Sequence, residues 1–243
     1  MSRVARANGQ ASPTNLSPVL FNVTFSEPVV GVTSALFSTS GSSATVGAIS
    51  VTALDSLVYR VSVPVSASGS VLLSVTAPAG VTDVAGNALV ASGLTASVTF
   101  DTAAPRVVRV ALAKTQASPT NASPVLFNIT MSKPVVGVTS ALFNTSGSSA
   151  TVGGVTVTAA GALVYQVSVP VSSSGSVVLR VSPPSGVADL AGNALQASSL
   201  FASASFGALL LVVVRVSACV LPTCACVRGV QTTSLRQPCA WRC

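Results

Sequence analysis

The chain has 243 residues, 49% hydrophobic, 5% aromatic and 7% charged, with no histidine and a formal net charge of +7. That length allows one or two domains, and the even spread of Val, Leu and Phe excludes intrinsic disorder. The missing histidine excludes Ser-His-Asp and Cys-His catalysis, and the scattered basic residues exclude the clustered face that nucleic-acid binding needs.

Residues 1–9, Met-Ser-Arg-Val-Ala-Arg-Ala-Asn-Gly, lack the apolar core of a signal peptide. Arg3-Val4-Ala5 returns as Arg109-Val110-Ala111, so the chain is expected to begin inside the first strand of a repeat. Ser17-Pro-Val-Leu-Phe-Asn-Val-Thr-Phe-Ser-Glu-Pro-Val-Val-Gly31 then returns at an offset of 106 residues as Ser123-Pro-Val-Leu-Phe-Asn-Ile-Thr-Met-Ser-Lys-Pro-Val-Val-Gly137. Residues 10–47 and 116–153 differ only at Leu16/Ala122, Val23/Ile129, Phe25/Met131, Glu27/Lys133 and Ser38/Asn144. Such close copies point to recent duplication within a longer array.

Within each copy the apolar residues alternate. Val19, Phe21, Val23 and Phe25 share one face of a predicted strand, and Leu20, Asn22 and Thr24 share the other. Just past that strand Glu27 becomes Lys133, a reversal expected at a solvated site. Thr33–Phe37 reads as a short helical turn and Thr45–Leu54 as one further strand. In Val58–Val63, Tyr59, Val61 and Val63 point inward, against Arg60 and Ser62. Val71, Leu73 and Val75 share a face, and Leu94–Phe100 closes the copy. Pro28, Gly31, Pro64, Gly69, Pro78, Gly80 and Gly86 punctuate these runs. About seven short strands in roughly 100 residues predict an all-β fold: two tandem immunoglobulin-like β-sandwiches followed by a short irregular tail. The expected divisions are 1–104, 105–207 and 208–243.

The tail holds every cysteine: Cys219, Cys224, Cys226, Cys239 and Cys243. Their spacing does not fit paired zinc knuckles. Val213-Val-Arg-Val216 matches Val107-Val-Arg-Val110, as though a third repeat begins and breaks off. The apolar run Ala208–Val214 ends at Arg215, short of the ~20 residues of a membrane span.

Ser17–Gly31, Asp83-Val-Ala-Gly-Asn87 with its copy Asp189-Leu-Ala-Gly-Asn193, and Phe100-Asp-Thr-Ala-Ala-Pro105 resemble the bacterial Ig-like repeats of large surface adhesins. The resemblance covers roughly residues 3–206. It implies an extracellular or cell-surface stalk whose partners are neighbouring Ig-like repeats, with cell-surface glycans or proteins as further partners. It also implies that calcium can lie at the joints between repeats, which singles out Asp83, Asn87, Asp101, Asp189 and Asn193. Calcium takes six to eight oxygens, however, and one carboxylate per Asp-x-x-Gly-Asn segment fits a turn better: Asp and Asn bond their own backbone there, and Gly86 supplies the permissive conformation. No cofactor is expected on that reading.

Catalysis has little to work with. The carboxylates are Glu27, Asp55, Asp83, Asp101 and Asp189, and only the Asp83/Asp189 position is acidic in both copies. No pair is thereby placed for acid–base chemistry. Asn15, Asn22, Asn121, Asn128 and Asn144 begin Asn-x-Ser/Thr sequons, glycosylation candidates on a eukaryotic secretory route. The expected function is a non-catalytic structural or adhesive spacer. The alternative is a carbohydrate- or protein-binding module acting through loops such as Ser38–Val46, whose Thr39-Ser-Gly-Ser-Ser43 recurs as Thr145–Ser149.

Overall fold

Burial follows the alternation. In a computed structural model describing residues 2–76, 80–90, 92–182 and 186–207, Val19, Phe21 and Val23 have no solvent exposure, and the residues between them are half-buried. The first repeat contains β1 (Arg3–Arg6), β2 (Val19–Thr24), β3 (Val29–Val30), β4 (Phe37–Ser38), β5 (Thr45–Val46) and β6 (Ser50–Ala53). It continues with β7 (Val58–Val63), β8 (Val65–Ala67), β9 (Gly69–Val75), β10 (Thr82–Asp83) and β11 (Thr95–Phe100).

One sheet has the order β1-β2-β7-β6 and the other β11-β9-β4. Taken in chain order as A, B, C, D, E, F and G, these strands form an ABED sheet and a CFG sheet, the constant-type immunoglobulin arrangement. Register places Val19 opposite Val63, Phe21 opposite Val61 and Val23 opposite Tyr59, so the inward residues of β2 and β7 meet in pairs. The small β3–β10 ladder ties one end of the sandwich.

The second repeat repeats the plan with β12 (Val107–Leu112), β13 (Val125–Met131), β14 (Val135–Val136), β15 (Phe143–Asn144) and β16 (Thr156–Ala159). Then follow β17 (Val164–Val169), β18 (Gly175–Val181), β19 (Ala188–Asp189) and β20 (Phe201–Phe206). Its sheets run β12-β13-β17-β16 and β15-β18-β20, with β14 paired to β19. The chain is thus all-β, two tandem Ig-like sandwiches, each around its own core. Phe21, Phe25 and Leu73 centre the first, and Phe127, Ile129, Met131 and Leu179 the second. Both belong to one compact unit, Met1–Leu209.

The tyrosines lie against the cores, as their phase predicts. The Tyr59 hydroxyl donates to Val29 O at 3.1 Å and the Tyr165 hydroxyl to Val135 O at 3.0 Å. The Tyr59 ring meets Phe25 edge-on, with centroids 5.4 Å apart.

One expectation is corrected here. Thr45–Leu54 is not one strand: it divides into β5, paired with β8, and β6, paired with β7. The break falls opposite Pro64, which has no N–H to donate: Gly47 N–H still donates to Pro64 O at 2.8 Å, and the ladder resumes only at Ser50. The turn expected at Thr33–Phe37 is a 3₁₀ turn, Ser34–Leu36, with Leu36 in the core. Pro78 and the tail from residue 208, with its cysteines, apolar run and Val213–Val216 match, lie outside the described residues. Among the described residues no helix is long and apolar enough to cross a membrane.

Two variants test this packing by chemical denaturation. Phe127→Ala is expected to destabilise by about 3–5 kcal/mol, from lost burial plus the cavity left behind. Gly137 has φ +80°, and a Cβ there would run into the Gly186 carbonyl. Gly137→Ala is therefore expected to cost more than about 1 kcal/mol.

Candidate functional site: the joint between the repeats

Polar side chains converge where the end of the first repeat meets the start of the second. Three short segments bring them there. Asp189 ends β19 and opens the turn Asp189–Asn193, in which Gly192 takes φ +93°. Lys133 stands in the corner between β13 and β14. Asp101 follows β11, where its N–H donates to Thr14 O at 2.9 Å.

Asp189 is buried, with its side chain 3% exposed. A buried carboxylate is stable only if its oxygens are satisfied. Here Oδ1 accepts the Ala191 and Asn193 N–H groups at 3.0 and 2.9 Å, and Oδ2 accepts Asn193 Nδ2 at 3.0 Å. The Lys133 ammonium supplies the counter-charge, 3.0 Å from Asp189 Oδ2 and 2.7 Å from Asp101 Oδ2, and it also donates to the Ala103 carbonyl. One lysine thus ties the two repeats together.

Neutral contacts cross the same joint. Asn193 Nδ2 donates to Asp101 O at 2.8 Å, and Asn15 Nδ2 donates to Asn193 Oδ1 at 3.2 Å. The Asn15 N–H donates to Ala191 O at 3.0 Å. In the linker, Gln196 N–H donates to Pro105 O, and Arg106 N–H to Ser132 Oγ. Pro13, Pro134, Leu190 and Ala191 line a small cavity of about 150 Å³ beside the ion pairs.

The electrostatics follow from these contacts. Burial raises the Asp189 pKa, but hydrogen bonds from Asn193 and the hydrogen bond and charge of Lys133 outweigh it and hold the carboxyl below its usual range. Burial likewise works against the Lys133 ammonium, yet Asp101 and Asp189 raise its pKa.

Lys133 corrects the expectation of a solvated site. It stands past the end of β13, outside its own core, but at this corner its side chain reaches the first repeat and is only 25% exposed.

The first repeat presents the same residues uncovered. Asn87 N–H and Nδ2 each donate to the Asp83 carboxylate at 2.7 Å, closing the turn. The Asn87 side-chain bond, then its N–H, lower the Asp83 pKa. Glu27, in the place of Lys133, lines an open cavity of about 270 Å³ with Asp83 and Asn87. Ala85 and Asn87 are exposed, where Ala191 and Asn193 are buried.

Of the calcium candidates, Asp101, Asp189 and Asn193 therefore come together around Lys133, and Asp83 and Asn87 pair with each other. Among the described residues no group of three or more His, Cys, Asp or Glu is placed to hold a metal ion. The sequons are scattered. Asn121 is exposed, and Asn15 is engaged in the joint. Asn22 and Asn128 lie half-buried on outer faces with their amide oxygens unpartnered, and Asn144 Nδ2 donates to Ser182 Oγ. In the loop repeated at Thr39–Ser43, the Ser42 and Ser43 hydroxyls accept the N–H groups of Leu72 and Ser70, so they serve the adjoining strand.

Sequence reasoning missed Asn15 and Lys133 as joint residues. A signal existed: Glu27/Lys133 and Gly207/Asp101 are charge differences between copies that otherwise nearly coincide.

No protein family matches the chain, and no curated protein matches it. Among solved structures, the D00-D0 domain of intimin matches 85% of this chain and 100% of its own, at 14% identity and a TM-score of 0.29. The D0-D1 domain of intimin matches 84% and 97%, at 15% identity and the same TM-score of 0.29. No function passes to this chain from likenesses that loose.

Lys133→Ala leaves the buried Asp189 without its counter-charge. The expected cost is about 1–3 kcal/mol, between the values for exposed and buried pairs. Hydrogen exchange should quicken at the Asn15 and Gln196 amides and stay slow at Val61 and Phe127. The pH dependence has a definite sign. Because the folded pKa of Asp189 is lowered, its contribution is complete above the ordinary carboxylate value of about 3.9 and is lost as pH falls through the folded value. Because that of Lys133 is raised, its contribution is complete below about 10.4 and is lost only above it. Exchange at the Asn15 amide, corrected for intrinsic rate, should give a flat joint stability between these limits.

Proposed function

We propose that the chain is a non-catalytic structural spacer of a larger extracellular or cell-surface repeat protein, in which stiffly joined sandwiches carry other parts away from a surface. The observation that carries this is the joint itself. The linker Asp101–Pro105 is hydrogen-bonded to the second repeat, and an ion-pair network and side-chain amides cross beside it. A chain needing only tethered domains would have no use for a buried carboxylate there.

The residues also weigh against catalysis. Histidine is absent, and the one acidic position that both repeats share, Asp83/Asp189, is occupied with turn and joint contacts. The alternative of glycan or protein capture through loops has less support, since the Ser42 and Ser43 hydroxyls and both tyrosine hydroxyls already bond the protein backbone. On this reading neighbouring Ig-like repeats are the partners and the joint works without calcium, Lys133 supplying its positive charge.

Small-angle scattering on the full chain tests the spacer. An elongated profile is expected, becoming more compact or more variable in Lys133→Glu, where like charges gather at the joint. A profile of freely tumbling domains in the unaltered chain would refute the proposal. EGTA is expected to leave the melting temperature unchanged, and a calcium-dependent rise would place a divalent cation among the acidic turns.

A further inference from the structure

The internal joint shows how one end of a repeat seats on the start of the next. Both halves of that contact recur at the outer ends of the described repeats. On the starting face of the first repeat, Ala85 and Asn87 are exposed, in the positions of Ala191 and Asn193. Val84 and Val90 on that face are 78% and 80% exposed. On the far end of the second repeat, Pro119 and Asn121 are exposed, in the positions of Pro13 and Asn15. The backbone there keeps the form used in the joint: Gly207 N–H donates to Thr120 O at 2.9 Å, as Asp101 N–H does to Thr14 O.

The charges at these ends have changed together. Inside the chain, the end of the first repeat is acidic through Asp101 and the start of the second is basic through Lys133. At the outer ends of the described repeats the polarity is reversed. The starting face carries Glu27 in the place of Lys133, beside Asp83, the counterpart of Asp189. The far end has lost its acid, Gly207 standing for Asp101, and has gained Lys114 where the first repeat has Asn8. Lys114 is exposed, in the loop that leads to Thr120. An acidic end like that of the first repeat would meet repulsion on the Glu27/Asp83 face, whereas the far end of the second repeat would not.

We propose that the Glu27/Asp83/Ala85/Asn87 face of the first repeat docks the Pro119–Asn121/Gly207 end of the second repeat of another copy, head to tail and with the joint's charges inverted. This rests on the spacer reading above and gives its partner. The Asn121 N–H and side-chain amide would take up Ala85 O and Asn87 Oδ1, and Asn87 Nδ2 the Gly207 carbonyl, as Asn15 and Asn193 do inside the chain. Heterologous contacts of this kind propagate as open chains, or as rings where the rotation closes. The contact is small and lacks the tether that raises effective concentration within the chain, so it is weak in dilute solution.

The test is concentration-dependent ¹H–¹⁵N NMR on the full chain, up to about 1 mM, the effective concentration a short tether supplies, with reductant present to keep the tail cysteines apart. Amides of Ala85, Asn87, Thr120 and Asn121 are expected to shift together while Val61 and Val167 stay fixed. Ala85→Arg, at an exposed position, should abolish the shifts at both ends. Lys114→Glu should weaken the association about threefold or more at low salt, and adding Glu27→Lys to it should restore the association. Absence of any concentration dependence, shifts confined to other surfaces, or unchanged association in Ala85→Arg would overturn the proposal. The scattering profile of Ala85→Arg at low concentration keeps the two failures apart. If it stays elongated, the spacer stands even where the docking fails.

Discussion

A carboxylate removed from water has to be answered by its neighbours, and Asp189 is the side chain on which the joint turns. Its own turn supplies three N–H donors, from Ala191, Asn193 and the Asn193 side chain. Those donors fix its position but leave its charge unbalanced. Lys133 balances it, and because that ammonium also reaches Asp101 and Ala103, balancing the charge means holding the preceding repeat. Local turn chemistry and inter-repeat attachment are therefore one network. The Coulombic part of such a network gains from partial burial, which screens it less than an exposed pair would be screened.

The two repeats provide the comparison that isolates this effect. Asp83 and Asn87 make the same turn as Asp189 and Asn193, with the same pairing of amide and carboxylate. Nothing covers them among the described residues, and the side chain in the place of Lys133 is Glu27. The turn is thus sufficient for the local shape, and the cover is what buries it. A single change of side chain between near-identical copies reverses the charge of the starting face, which is how one sandwich design can carry ends of different preference.

Much of each sandwich was legible because parity is a local property. Phe21, Val61 and Leu73 fall in phase with their neighbours, and the phase alone places them inside. Tyr59 and Tyr165 followed the same rule. The division of Thr45–Leu54 was not legible, because it falls where the partner strand presents Pro64, a residue distant in sequence with no N–H for the ladder. Lys133 was misread for a related reason. A charge reversal between copies tells that a side chain lies outside its own core, but not whether water or another repeat lies beyond.

The sequence by itself determined the tandem plan, the all-β class and the inward set of each strand, since a two-residue period and a 106-residue offset are written in the order of residues. The Asp-x-x-Gly-Asn turns were likewise determined locally, by side chains that bond their own backbone. Tertiary structure alone decided that Asn15, Asp101, Lys133, Asp189 and Asn193 form one site. These residues come from segments far apart in the chain, and a charge or an amide acquires its partner only when folding closes the distance to about 3 Å.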